Sequence, residues 1–200
     1  MLTSVSAPKP VLFEIVTVGH STHTIGRFLG LLAGAGVELV ADVRRFPGSR
    51  RNPQFGAGPL AASLARAGIG YESFGEELGG RRQTTRRAAP DDPLAGGADD
   101  NSAWRNPSFR AYADHMSSAE FSAGVRRLES VADGRRVAVM CAEADPSRCH
   151  RRLIADALSA RGRRVVHLLG DGRLVAHTLS PHAVVEDGRV HYPGEPTLGI

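Results

Sequence analysis

The chain has 200 residues, 42% hydrophobic and 23% charged, which suffices for one well-formed core. Two cysteines rule out a disulfide framework, and no apolar stretch approaches the roughly 20 residues that span a membrane. The net charge is +4, and every basic residue except Lys9 is arginine. Arginine suits phosphate and carboxylate partners, and the same excess also fits a compositional bias in an Ala- and Gly-rich chain.

Residues 1–12 read as a flexible leader without the basic and apolar segments of a signal peptide, so a cytoplasmic location is expected. An α/β domain is expected over 13–180. "FEIVTVGHS" (13–21) opens as a buried strand that stops at Gly19. "TIGRFLGLLAGAG" (24–36) has helical spacing, with Thr24 to cap it and Gly36 to end it. "VELVADVRRFPGS" (37–49) is a second strand, closed by the Pro47-Gly48 turn. A helix over 59–68 and a strand over 69–74 follow. Residues 81–101 lack any apolar period and read as a mobile insertion.

Helical spacing returns at "NPSFRAYADHM" and again over 120–134. "RRVAVMC" (135–141) is the fourth strand. "DPSRCHRRLIADALSARG" (145–162) reads as one helix with an Asp cap and Pro146 in its first turn. "RVVHLL" (164–169) is the fifth strand. Asp-Gly pairs at 171–172 and 187–188 can each close a hairpin, and 181–200 reads as a C-terminal tail. Alternating strands and helices imply an α/β fold: a single domain, its sheet mostly parallel, with helices on both faces.

Ligands of such sheets bind beyond the carboxyl ends of the strands. His20 and Ser21 follow the first strand, and Asp42, Arg44 and Arg50 end or follow the second. Glu76, Glu77 and Gly79-Gly80 follow the third, and Cys141 and Glu143 end or follow the fourth. Cys141, Glu143, Asp42 and His20 are therefore the candidate catalytic residues. Ser21, Arg44, Arg50, His150 and Arg151 are the candidate substrate ligands. Cys141 faces the start of the next helix, near Arg148 and Arg151, and both effects favour a thiolate nucleophile. Arg148 lies seven residues after Cys141, where phosphatase loops place their arginine six after. Cys149 is four residues before Leu153 and is expected to face the core. Cys141, Cys149, His150 and His20 also form a possible metal cluster, although Cys-x7-Cys-His is not a common zinc spacing, and no metal ligand is assigned. There is no P-loop and no GxGxxG fingerprint, and the cofactor stays open.

The blocks "TVGHS" (17–21), "DVRRFPGSRRNPQF" (42–55), "GIGYESFGEELGG" (68–80), "WRNPSFRAYADHM" (104–116) and "MCAEADPSRCHR" (140–151) occur in order. Together they resemble the family known as domain of unknown function 488, over roughly residues 15 to 170. The resemblance implies a compact α/β domain and joins Cys141, Glu143, Cys149, His150 and Arg151 in one working unit. It implies no particular reaction. Three function classes follow: an enzyme with a cleft for an anionic, phosphate-bearing or nucleotide-like substrate; a nucleic-acid-binding module; and a metal-binding protein using the Cys/His cluster. Few aromatics and no helix-turn-helix or RNP motif weigh against the second. No membrane partner is expected, and the oligomeric state is not read.

Overall fold

The computed structural model describes residues 14–48, 50–82 and 101–194. The expected leader, and residues 83–100 of the expected insertion, lie outside the described residues.

The apolar runs become the strands of one sheet. β1 (Ile15–Gly19), β2 (Leu39–Asp42), β3 (Gly70–Ser73), β4 (Val137–Cys141) and β5 (Val165–Leu168) run parallel. β6 (Leu174–Ala176) adds an antiparallel edge, and the order is β3-β2-β4-β1-β5-β6. Side chains alternate across the sheet. Val16, Val18, Val40 and Met140 meet Phe28 and Leu32 of α1 (Ile25–Gly34) and Leu60 and Leu64 of α2 (Ala57–Arg66). Ile15, Leu39, Ala41 and Val139 meet the opposite layer. That layer holds α3 (Gly75–Leu78), α4 (Pro107–Met116), α5 (Ala119–Ala132) and α6 (Arg151–Ala160). Both faces are covered, as the buried apolar strands require. Among the described residues, no helix is long and apolar enough to cross a membrane.

Helix ends follow local chemistry. Thr24 accepts the Arg27 N–H at the start of α1, and Gly36 beyond its end takes a left-handed φ of +63°. Both Asp-Gly pairs close hairpins, 171–172 between β5 and β6 and 187–188 between β7 (Val184–Glu186) and β8 (Arg189–His191).

The structure departs from the sequence expectation at two places. The expected helix over 145–162 is broken. Asp145 caps only a 3-10 turn, Pro146–Arg148; Cys149 is extended at φ −128°, ψ 143°; and α6 starts at Arg151. Proline and the Asp cap set a helical start but do not set how far it runs. The stretch 181–194 is also no free tail: Tyr192 is fully buried in the core and donates its hydroxyl to Asp156 at 2.8 Å. An aromatic ring needs such cover, and α6 supplies the acceptor.

Candidate functional site

The chain leaves β1 for α1 on one face of the sheet and leaves β4 for α6 on the other. Open parallel sheets bind ligands where connections diverge in this way. Here the carboxyl ends of β1, β2 and β4 open into a cavity of about 700 Å³. Its wall includes His20, Ser21, Arg44, Cys141, Glu143 and His150 among the expected residues. Asp42, Arg50 and Arg151 are not part of that wall.

The floor depends on a close approach. Gly19 pairs with Cys141 across β1 and β4. His20 and Ser21 donate their N–H groups to the carbonyls of Cys141 and Ala142 at 3.0 and 2.9 Å. A Cβ on Gly19 would lie 1.9 Å from the Glu143 carbonyl oxygen, so only glycine lets the loop cross here. Arg151, 1% exposed, donates to the Glu143 carbonyl at 2.5 Å and to Ala144 at 3.4 Å. It braces the loop from behind. Glu143 itself is exposed at the cavity wall, where its carboxylate accepts the Asp145 N–H at 3.2 Å.

Asp42 is fully buried and saturated. One oxygen accepts from Arg44 N and Nε at 3.0 and 2.8 Å. The other accepts from the far end of the same guanidinium at 2.6 Å and from the Tyr71 hydroxyl at 2.9 Å. No lone pair is left to take a substrate proton. Asp42 therefore positions Arg44, and Tyr71, which sequence reasoning did not nominate, completes the pair. Arg44 in turn donates to His20 Nε2 at 3.1 Å. A guanidinium has no acceptor, so His20 Nε2 is bare and Nδ1–H donates to the Ser21 carbonyl at 2.8 Å. Burial pushes His20 down to about 4, against that carbonyl's pull, with Arg44 lowering it further. His20 is thus a neutral ring stacked on Phe55, centroids 4.1 Å apart. Arg50 is exposed, between Gly48 and Asn52 of the cavity wall but not part of that wall itself.

The sulfur chemistry gathers on the other side of the floor. Cys149 is buried as expected, yet its sulfur is in the cavity wall beside Cys141. The extended backbone at Cys149 turns it there. The Cys141 and Cys149 sulfurs and His150 Nδ1 all lie within 4.8 Å of one another. The shared hydrogen bond raises the Cys141 thiol well above its ordinary value, and burial adds to this. The same bond lowers Cys149 well below its ordinary value, helped by His150 and Arg151 against burial. Arg151 Nε lies 3.4 Å from the Cys149 sulfur. Of the two sulfurs, Cys149 is thus the one with a guanidinium donor against it.

The mouth of the cavity carries exposed Arg45, Arg81 and Arg148 and half-buried Phe109, with Phe46 67% exposed. Buried Tyr112 also reaches the wall and lies 5.0 Å from the His150 ring. Sequence reasoning placed Arg148 near Cys141 but did not nominate Arg45 or Tyr112. Arg45 adjoins Arg44 in the second block, and Tyr112 sits inside the fourth. Helical spacing marks Tyr112 as core, and nothing local marks it as cavity wall.

No curated protein and no solved structure is significantly similar to the chain. The model of the family described as "Domain of unknown function DUF488" matches residues 24–158, from α1 into α6, and the chain belongs to that family.

Proposed function

We propose that the protein is an enzyme that holds an anionic, phosphate-bearing or nucleotide-like substrate in the cleft and works on it at the Cys141–Cys149–His150 centre. One observation carries the reading: two thiols, two imidazoles, an exposed carboxylate and several guanidinium groups converge on one cavity of about 700 Å³. That size suits a small molecule. Arg45, Arg81 and Arg148 supply charge at the mouth, and Phe46, Phe109 and Tyr112 supply flat apolar walls. Glu143 is the carboxylate placed to exchange a proton with a bound group. Arg44 and Asp42 hold the rim in shape. Calorimetric titration of a mononucleotide and of inorganic phosphate tests this. Arg148→Ala and Arg45→Ala should each weaken mononucleotide binding about tenfold, the equivalent of one charge-assisted hydrogen bond. Cys149→Ser should leave binding intact. Absence of binding, or binding indifferent to both arginines, overturns the reading.

A further inference from the structure

We propose that Cys141 Sγ, Cys149 Sγ and His150 Nδ1 bind one soft divalent cation, zinc in the first instance, with a remaining coordination position open to the cleft. The inference deepens the reading of the cleft as a reaction site and rests on it for its purpose, but it has its own test.

Donor type comes first. With the Cys141 proton displaced to solvent by the ion, two thiolates and an imidazole nitrogen are the donors that zinc prefers, and three protein ligands leave one of four positions for water or substrate. Distance comes second. A tetrahedral zinc with ordinary bond lengths sets sulfur and nitrogen about 3.6 Å apart. His150 Nδ1 lies 4.0 Å from the Cys141 sulfur and 3.8 Å from the Cys149 sulfur, and all three donors lie within 4.8 Å of one another, so the nitrogen needs a few tenths of an ångström and the sulfurs at most about 1 Å to close on an ion.

Orientation comes third. A metal-binding histidine usually donates its other N–H to a carbonyl or carboxylate, which fixes the ring. His150 Nε2 does so to the Val43 carbonyl at 3.2 Å, and this turns Nδ1 toward the sulfurs. Tyr112 lies against the same ring, and the Arg151 guanidinium lies against the Cys149 sulfur as an outer partner. Space comes fourth. A Cβ on Gly80 would fall 2.8 Å from His150 Nδ1, so glycine keeps that side of the nitrogen clear. The unusual sequence spacing has a structural reason: one ligand ends a strand, and the other two flank a broken helix start.

The test uses the full chain without an affinity tag, reduced with a phosphine and stripped of metal. Cobalt(II) should bind one equivalent, with thiolate-to-cobalt charge-transfer absorption and the intense visible bands of a tetrahedral ion. Zinc(II), which has no geometric preference to give up in a tetrahedral thiolate site, should displace it. Cys141→Ser and Cys149→Ser should each lower the charge-transfer intensity. With His150→Gln, they should weaken binding by more than the 10–100-fold typical of outer-partner changes. Gly80→Ala should weaken it at least tenfold while retaining the native circular dichroism. No charge-transfer band in the wild type, or a band unchanged in both serine variants, overturns the metal site. If mononucleotide still binds in that case, the anion cleft stands alone. If cobalt binds as described and mononucleotide does not, the metal site stands and the cleft reading falls.

Discussion

At the scale of single residues, the saturated carboxylate of Asp42 holds a buried guanidinium in place. Asp42→Ala would leave Arg44 buried, 7% exposed, without its partner. Stranding a buried charge costs about 3–5 kcal/mol, and urea unfolding should show a loss of that order. A loss under about 1 kcal/mol would mean that Arg44 finds water instead. His20 makes the site sensitive to acid. Its folded-state pKa is depressed to about 4 from an ordinary 6.5, so the unfolded chain takes the proton first. The contribution of His20 is therefore fully present above pH 6.5 and fades as pH falls toward 4. It amounts to as much as about 3 kcal/mol. Unfolding free energy measured from pH 7 to 4 should fall, and His20→Gln should flatten the slope. An unchanged slope would exclude His20 as the source.

At the scale of elements, the break at Cys149 decides the site. A continuous helix from Asp145 would have buried that sulfur in the core, as its spacing to Leu153 suggests. The 3-10 turn and the extended residue bring it to Cys141 instead. Strands and helix ends are legible in the sequence because they rest on local patterns: apolar runs, Thr24 and Gly36. The break is not legible, because the contacts around it, Arg151 on the Glu143 loop and His150 on Val43, leave no periodic pattern. The same reasoning separates the site residues. Spacing brings His20, Arg44, Cys141 and Glu143 to the right edge, while long-range partners such as Tyr71 carry no local signal. The Gly19 crossing is the element-level weak point. Gly19→Ala must displace the 142–144 loop, with overpacking of about 1–3 kcal/mol or more. Thermal unfolding should register it, and cobalt binding at Cys141 should fall in parallel.

At the scale of the whole molecule, a buried polar chain ties the last strands to the core. Asp156 accepts from the His177 ring at 2.8 Å, from Ser180 and from Tyr192. His177 reaches His167, and His167 reaches Thr17 in the middle of β1. Tyr192→Phe removes one bond to a charged acceptor and should lower stability by about 1.5–3 kcal/mol. Tyr192→Ala should remove about 3–5 kcal/mol through the cavity it leaves. Equal, small losses in both variants would mean that the closing segment is peripheral. The parallel core was readable from the alternation of apolar runs. The docking of this segment was not, since a single tyrosine in a polar stretch gives no periodicity.

The loop over Gly19 is held by its backbone oxygens. Arg151 grips the carbonyls of Glu143 and Ala144, and His20 and Ser21 grip those of Cys141 and Ala142. Substituting side chains at 142 or 144 leaves every one of these acceptors in place. Substitutions at Ala142 and Ala144 will therefore leave this frame standing, whereas inserting or deleting a single residue there shifts the whole row of acceptors out of register. For this stretch the frame depends on length, and a scan of insertions will reveal what substitutions at 142 and 144 conceal.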